Sequence, residues 1–337
     1  MIVAGRDLAD KMDVFRCLNV SDGKQRWAVR QLTEGNLDYG NSPRATPLIV
    51  NDLVYLFGAF GHLHCVQLDS GKTLWQKDLP AEFDAHEKLP WGFCSSPLAV
   101  DNKLIINPGG PKASIAALAL RTGEVLWKAP GGPPGYGSLI VGDFGGCRQI
   151  VGHDATSLGG WDVGTGQRLW KLTPPKKGDF NVPTPLAYKG QLIISTERNG
   201  TRLFRFSADG KINTTPHAIN TELSPDTQSS VLVGSRLFGA AGRLLCLDCD
   251  NGLKPTWQHE GPLFDNHVSL VSSKDRLLAF GMTGEIQLID GTTPEYKCLS
   301  KVTPIEDESG LYGHPAIVGN RLFMRGTDAV HCFSLVS

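Results

Sequence analysis

The chain has little charge imbalance and no long apolar run. Its 337 residues carry 33 Lys and Arg against 34 Asp and Glu, a formal net charge of −1. Because there is no basic surplus, the composition argues against a nucleic-acid partner. No apolar run approaches the roughly 18 residues that a transmembrane helix needs. Residues 1–6 are too short and polar for a signal peptide. We therefore expect a soluble chain without a membrane span, and its compartment stays open.

The sequence also lacks helical periodicity and adjacent cysteines. No segment of useful length spaces its apolar residues as an amphipathic helix does. None of the 8 cysteines follows another directly. A free cysteine inside a strand behaves as a small buried hydrophobe, and cysteines at equivalent places in different repeats usually lie too far apart to bond. We therefore expect unpaired thiols, four of them at matching repeat positions: Cys17, Cys65, Cys246 and Cys332.

Motifs for nucleophilic catalysis and phosphate binding are missing as well. There is no Gly-x-Ser-x-Gly elbow for a serine nucleophile. The Gly-rich segments 107–111 and 131–135 are not followed by the Lys-Ser/Thr pair that a phosphate loop requires. The sequence therefore offers no recognisable catalytic set.

The main feature of the sequence is a short repeated motif, here called the phrase. A polar turn with a glycine precedes a tryptophan four residues later, as in residues 69–75, Asp-Ser-Gly-Lys-Thr-Leu-Trp. An interval of about 40–50 residues between copies is typical of repeat architectures. Each period also holds a Pro-containing strand, a turn dipeptide and a second apolar run, which indicate antiparallel strands. The phrase ends at Trp27, Trp75, Trp127 and Trp170, and a degraded copy leads to Trp257.

Four strands per period predict an all-β fold, a β-propeller of four-stranded antiparallel blades. We count eight blades, with seven as the alternative, in a single domain over residues 1–337. The fifth blade would use the turn Asp209-Gly210-Lys211 and the seventh the segment 293–296. The first blade begins at its second strand and the last stops after its third. Since exposed strand edges invite pairing, we expect an N-terminal truncation of a longer parent, an open ring, or closure by unusual pairing.

The repeated tryptophans are predicted to hold neighbouring blades together. A large flat ring on each outer strand can bury roughly 150–250 Å² against the next blade. We therefore assign a structural blade-docking role, not ligand contact, to Trp27, Trp75, Trp127, Trp170 and Trp257.

The phrase in residues 69–75 and 121–127 resembles the PQQ-like, or quinoprotein-type, propeller repeat. The resemblance covers nearly the whole chain, and segments 107–111 and 157–162 look like uncharacterised planctomycete members. It implies relatives that include quinone-dependent alcohol dehydrogenases and non-catalytic scaffolds such as the outer-membrane assembly lipoprotein. It also suggests a periplasmic or exported parent, although the chain shows no signal peptide.

The resemblance raises PQQ with calcium as a cofactor, which the cysteines disfavour. Quinone enzymes of this type carry two adjacent cysteines beside the cofactor, whereas Cys246 and Cys249 are separated by two residues. No motif places calcium-binding carboxylates or a catalytic Asp. We therefore expect no cofactor, and no metal, because His267 and His314 lack a demonstrated third ligand.

Loops near the central channel are predicted to form a polar-aromatic ligand funnel. Loops on a rigid scaffold concentrate binding residues, aromatic faces suit sugar rings, and Arg suits carboxylates. The alternative is that these side chains satisfy backbone groups and waters in the channel. The predicted ligand-binding residues are Tyr39, Arg44, Trp91, Tyr136, His153, Asn181, Arg198, His267, Tyr312 and His314.

The favoured function is a non-redox interaction module for a small polar ligand, which a carbohydrate would fit, or for a protein partner. The first alternative is a carbohydrate lyase or hydrolase with His267, His314 and Arg44 as catalytic candidates. The second is a quinone-dependent dehydrogenase. The sequence names no ligand and leaves open whether the protein is an enzyme.

Overall fold

The computed structural model describes residues 1–305 and 310–335. These residues form thirty strands, one five-residue α-helix, α1 (Leu79–Phe83), and one 3-10 turn (Pro262–Phe264). No helix in these ranges has the length and apolar character to cross a membrane. The chain divides into two compact units, and each is described by itself: unit 1, residues 1–181 with 206–212, and unit 2, residues 182–205 with 213–337.

Unit 1 holds four antiparallel sheets, called blades 1 to 4 in chain order. Blade 1 has three strands and blades 2 to 4 have four each, and every strand pairs with its neighbours in sequence. Blade 1 is β1 (Ile2–Arg6), β2 (Met12–Leu18) and β3 (Gln25–Leu32); blade 2 is β4 (Leu48–Val50), β5 (Leu53–Phe57), β6 (His62–Gln67) and β7 (Thr73–Asp78); blade 3 is β8 (Leu98–Val100), β9 (Lys103–Ile106), β10 (Ile115–Ala119) and β11 (Val125–Ala129); blade 4 is β12 (Ile140–Phe144), β13 (Cys147–His153), β14 (Leu158–Asp162) and β15 (Arg168–Leu172).

Unit 2 holds blades 5 to 8, of which the last has three strands among the described residues. Blade 5 is β16 (Leu186–Tyr188), β17 (Gln191–Thr196), β18 (Gly200–Phe204) and β19 (Ala218–Asn220); blade 6 is β20 (Val231–Val233), β21 (Arg236–Ala240), β22 (Leu244–Asp248) and β23 (Lys254–His259); blade 7 is β24 (Val268–Ser272), β25 (Arg276–Gly281), β26 (Ile286–Asp290) and β27 (Cys298–Val302); blade 8 is β28 (Ala316–Val318), β29 (Arg321–Arg325) and β30 (Val330–Ser334).

The predicted fold class is confirmed: the chain is an all-β propeller protein with eight blades of antiparallel strands, and the seven-blade alternative is wrong. Blades 1 and 8, which have three strands each among the described residues, are also the two blades that the sequence predicts to be incomplete. Trp27 lies on the third strand of blade 1 and Trp75 on the fourth strand of blade 2, so blade 1 corresponds to the second to fourth strands of a full blade. Blade 8 corresponds to the first three.

The core lies in layers between successive blades, because strand side chains alternate between the two sheet faces. On β5 and β6, Tyr55 and Cys65 point to one face and join the cluster that includes Leu104 and Leu118 of blade 3. The other face of β5, with Leu56, packs against Phe15 of blade 1. Blade 2 therefore buries both of its faces.

Three repeat tryptophans contact the glycine turn of the following blade. The indole nitrogen of Trp27 donates to the Leu68 carbonyl at 2.8 Å. A Cβ built on Gly71 would lie 2.6 Å from the Trp27 ring, so this position has no room for a side chain. Gly71 also has φ +70°, in the left-handed region that favours glycine. Glycine is therefore required at this position for two reasons: the backbone has a positive φ, and the tryptophan ring leaves no room for a side chain.

The same arrangement recurs twice more in unit 1. Trp75 donates to the Leu120 carbonyl at 2.9 Å and Trp127 to the Val163 carbonyl at 3.2 Å. Gly123 and Gly166 lie against these two rings as Gly71 lies against Trp27.

Trp170 and Trp257 pack differently. The Trp170 indole donates to Gln149 of its own blade at 2.6 Å, and its ring contacts Phe206 at a centroid distance of 5.7 Å. Trp257 packs against Tyr296 at 5.8 Å, and its buried indole nitrogen has no hydrogen-bond partner among the described residues.

The blade 5 turn explains the difference at Trp170. The predicted turn at residues 209–211 is present, but residues 206–212 form a separate excursion before β19, with an isolated bridge between Phe206 and Ile212. Gly210 lies against Cys147 rather than against a tryptophan ring. Its carbonyl accepts a hydrogen bond from Gln149 at 2.9 Å. Phe206 therefore fills the place that the glycine turn takes in the regular repeats.

Candidate functional site

Four aromatic side chains of unit 1 lie together at a partly exposed surface. Trp91 is at the centre, with ring centroids 6.5 Å from Tyr39, 4.7 Å from Tyr136 and 4.6 Å from Phe180. Tyr39 is 87% exposed and Phe180 is 53% exposed. We call Tyr39, Trp91, Tyr136 and Phe180 the aromatic surface. Tyr39 lies in the loop before blade 2, and the other three lie in the loops that follow blades 2, 3 and 4. Residues far apart in sequence therefore meet here.

Arg44 fixes the loops under this surface. Its Nε donates to the Trp91 carbonyl at 2.7 Å, and one terminal nitrogen donates to the carbonyls of Asp38 and Gly40 at 2.5 and 3.1 Å. Tyr39 lies between those two acceptors and has φ +63°, an uncommon conformation for a residue with a side chain. The guanidinium thus braces a strained loop, and its predicted role in ligand binding stays a prediction.

The Cys94 thiol lies next to the loop of Trp91. The Cys94 sulfur lies 3.4 Å from the Trp91 carbonyl. Burial raises the pKa of Cys94 to about 12. Since the thiolate is the reactive form, a raised pKa disfavours reaction of this thiol at neutral pH.

Two other residues of unit 1 that the sequence predicts to bind a ligand are buried. His153 and Asn181 are 6% and 3% exposed. The Asn181 amide donates to the carbonyls of Asp154 and Ala155 at 3.3 and 3.4 Å. Asp154 is itself buried and accepts from Thr156, Ser157 and Arg168. This network holds the loop after β13 in shape.

The remaining predicted residues belong to unit 2. The ring centroids of His267 and Tyr312 are 6.0 Å apart, and the Nδ1 of His267 lies 3.5 Å from the Thr227 hydroxyl. Burial, and to a smaller extent the nearby His314, lower the pKa of His267, which favours its neutral form. Arg198 lies exposed on the turn between β17 and β18.

No three His, Cys, Asp or Glu side chains come together as a metal site in residues 1–305 and 310–335. Gln228, which follows Thr227 in sequence, makes two hydrogen bonds. Its amide donates to the Ala240 carbonyl at 2.7 Å and its oxygen accepts from Thr227 at 2.8 Å. The predictions of a metal-free chain and of catalytic roles for His267, His314 and Arg44 stay predictions.

Sequence reasoning found three of the four rings and missed Phe180. The sequence predicts a loop at residues 179–181, before β16, and assigns ligand binding to its polar residue Asn181. In the structure Asn181 has φ +56° and points to buried carbonyls, and Phe180 contacts Trp91. The available signal was that Phe180 is an aromatic residue in a predicted loop next to the same channel as Trp91 and Tyr136.

The residues that a quinone and calcium site would use can be compared with the structure. All eight cysteines are free, and no acidic cluster that would hold calcium occurs in the described ranges. The expectation of no cofactor remains a prediction, as does the likeness to planctomycete proteins.

Curated relatives fall into two kinds. The chain is 24% identical over 314 residues to outer membrane protein assembly factor BamB of Shewanella oneidensis, covering 76% of this chain and 75% of that protein. It is 23% identical over 189 residues to lupanine 17-hydroxylase [cytochrome c] of a Pseudomonas species, covering 52% of this chain and 26% of that protein. The aligned region is thus a small part of the hydroxylase.

Solved structures share the fold at low identity. BamB from Moraxella catarrhalis superposes with a TM-score of 0.68 at 14% identity, covering 98% of this chain and 95% of that one. A quinohemoprotein alcohol dehydrogenase from Pseudomonas putida HK5 gives 0.66 at 10% identity, covering 98% and 69%. At such identities the likeness shows the fold alone.

The sequence profile described as outer membrane protein assembly factor BamB matches residues 10–259 and 111–335. These two matches together span nearly all of the chain and carry the PQQ-like repeat predicted from the tryptophan phrase. The chain belongs to this BamB-like family of PQQ-repeat β-propeller proteins.

Proposed function

We propose that this protein is a non-redox interaction module that binds a polypeptide partner through its aromatic surface. The observation that carries the proposal is the cluster of Tyr39, Phe180 and Tyr136 around Trp91, with two of the rings more than half exposed. Aromatic residues are enriched at protein interfaces and among the residues that dominate binding energy. The matched family bears the name of an assembly factor, which fits a protein that works by contact.

The ring geometry favours a polypeptide over a sugar. The planes of Tyr39, Tyr136 and Phe180 are inclined to that of Trp91 by 52°, 55° and 61°. Sugar rings stack best on an open flat face, whereas tilted rings form clefts that accept apolar side chains edge-on. The charged Arg44 next to the cluster is bonded to main-chain carbonyls.

The surface is also preorganised. Arg44 ties the loop of Tyr39 to the loop of Trp91, so the rings are held before a partner arrives. Since ordering of side chains and loops opposes association, a braced surface binds more tightly than a mobile one.

The proposal is tested with a displayed library of random peptides selected on the purified protein. We expect selected peptides to bind the native chain and to lose at least tenfold in affinity for Trp91→Ala and Tyr39→Ala, about 1.4 kcal/mol or more. Leu126→Ala is the matched control, because Leu126 is also a large exposed apolar residue, 49% exposed, on β11 away from these rings.

Affinities are measured by isothermal titration, and circular dichroism checks that each variant is folded. The proposal is wrong if selected peptides bind Trp91→Ala and Tyr39→Ala as well as they bind Leu126→Ala. An oligosaccharide array is screened in parallel. The proposal is also wrong if no peptide binds, while an oligosaccharide binds the native chain and these two substitutions abolish that binding.

A further inference from the structure

The glycine turn of blade 6 is built differently from those of the regular repeats. In blades 1 to 4 the amide of the turn glycine donates to the carbonyl four residues earlier at 2.8–2.9 Å; these glycines are Gly23, Gly71, Gly123 and Gly166. In blade 6 the phrase is one residue longer. The amide of Leu253 takes this place and donates to the Asp248 carbonyl at 2.8 Å. The amide of Gly252, one residue earlier, therefore donates to no described residue.

This free amide directly follows an exposed asparagine, Asn251. The Asn251 side chain makes no hydrogen bond with any residue that the structure describes. A backbone nitrogen attacks a preceding asparagine side chain most readily at glycine, which has no Cβ to obstruct the approach and adopts many conformations. A Cβ built on Gly252 would find its nearest neighbour 3.8 Å away, so the backbone here is not packed. Both reacting groups are thus available in the folded protein.

The sequence has one other Asn-Gly pair, Asn199-Gly200, and it is held in place. Gly200 is buried at the start of β18 and pairs with Thr196 of β17. A Cβ on Gly200 would lie 2.5 Å from the Asn220 carbonyl oxygen, so the backbone is closely packed. The same dipeptide therefore occurs once in a packed hairpin and once in an open turn.

We propose that Asn251 is a site of spontaneous covalent modification, at which the folded protein forms a succinimide and then isoaspartate. The Gly252 nitrogen bonds to the side-chain carbonyl carbon of Asn251. The bond from that carbon to the amide nitrogen breaks, and ammonia leaves with the proton from Gly252. Water then opens the ring at either carbonyl, which gives aspartate or isoaspartate. Water is the only co-reactant, so no oxidant or enzyme is needed.

The reacting pair lies between two contacts that join blade 6 to blade 5. On one side, the Asp250 carboxylate accepts from the Tyr188 hydroxyl at 2.6 Å and from the Lys189 ammonium at 2.8 Å. On the other side, the Asn220 amide donates to the Leu253 carbonyl at 3.2 Å. Isoaspartate lengthens the main chain by one carbon between these contacts, so both cannot keep their geometry. Modification should therefore loosen the turn from blade 5. These contacts lie within unit 2 and do not involve the aromatic surface.

The test follows both Asn-Gly pairs in the same purified full chain during prolonged incubation at neutral pH. Peptide mapping by mass spectrometry detects the replacement of NH₂ by OH, and electron-transfer fragmentation distinguishes isoaspartate from aspartate. We expect Asn251 to convert at least about tenfold faster than Asn199, because Asn199 reacts only after local opening of its hairpin. Conversion at this position should stop in Asn251→Gln, which keeps an amide but would have to close a larger ring.

Hydrogen exchange tests the structural consequence. The converted fraction is separated from the native chain by ion exchange, because it carries an additional negative charge. Its Leu253 amide should exchange at least about tenfold faster than in the native chain, since the turn opens more easily. Freshly prepared Asn251→Asp is the matched control, because it has the same charge without the extra main-chain carbon, and its Leu253 amide should exchange as in the native chain.

The inference is overturned if Asn251 converts no faster than Asn199. It is also overturned if the Leu253 amide exchanges at the same rate in the converted fraction and in Asn251→Asp, because the lengthened main chain would then have no effect on the turn.

Discussion

Replacing Trp27 with alanine should lower the free energy of unfolding by about 3–5 kcal/mol, the range for buried large aromatic residues. Trp27 is 8% exposed, and its indole donates to the Leu68 carbonyl of blade 2 at 2.8 Å. The substitution removes both the packing and the hydrogen bond between two blades. Urea unfolding followed by circular dichroism measures the change.

Two glycines provide a matched control for this docking. Gly71 and Gly23 have φ of +70° and +71°, so alanine costs about 1–2 kcal/mol of backbone strain at either site. A Cβ on Gly71 meets the Trp27 ring at 2.6 Å, whereas one on Gly23 has no atom within 4 Å. Gly71→Ala should therefore destabilise more than Gly23→Ala, and equal effects would contradict the docking role of Trp27.

The repeat made the blades predictable, because period, turn glycines and strand patterns agree in several copies. The spacing of the Gly-x-x-x-Trp phrase specified blades 1 to 4, and the order of strands within each period predicted the missing strands of blades 1 and 8. Where the phrase is degraded, the structure uses other contacts: Phe206 against Trp170 and Tyr296 against Trp257. These substitutes share no sequence pattern with the phrase and therefore could not be found from it.

The candidate site was less predictable than the fold. Tyr39, Trp91 and Tyr136 are recognisable as loop aromatics, but their meeting depends on contacts among three loops distant in sequence. The role of Arg44 in ligand binding stays a prediction, and the pattern did not foresee that its side chain donates to main-chain carbonyls. Side-chain direction in a loop follows from the local backbone, which the residue pattern alone does not determine.

His64 should make the protein sensitive to mild acid. Its side chain is 3% exposed on β6, and neither ring nitrogen has a hydrogen-bond partner among the described residues. Burial, with a smaller contribution from the charge of His62, lowers the pKa of His64 to about 4 from 6.5. The unfolded chain therefore binds a proton below pH 6.5 that the folded chain binds only near pH 4.

Stability should consequently fall as the pH falls from 6.5 to 4, and His64 should account for about 3 kcal/mol of the loss at pH 4. Asp13 acts in the opposite sense, since burial raises its pKa. His64→Leu isolates the histidine contribution, because leucine suits a strand face shared with Leu56 and Val66. The measurement is urea unfolding at pH 7, 6, 5 and 4.

The difference in unfolding free energy between native chain and His64→Leu should grow by about 3 kcal/mol between pH 7 and pH 4, with the variant the more stable in acid. A difference that stays constant over this range would show that His64 titrates normally in the folded protein.

The claim of a non-redox interaction module is tested most directly by melting curves with PQQ and calcium chloride, paired with dye-linked alcohol oxidation by the same mixture. We expect an unchanged melting temperature and no dye reduction, alongside peptide binding that requires Trp91. A ligand at a hundredfold excess over its dissociation constant would add about 2.7 kcal/mol to the free energy of unfolding. A shift of that size with PQQ and calcium, together with alcohol-dependent dye reduction, would contradict the proposal and identify the chain as a quinone-dependent enzyme.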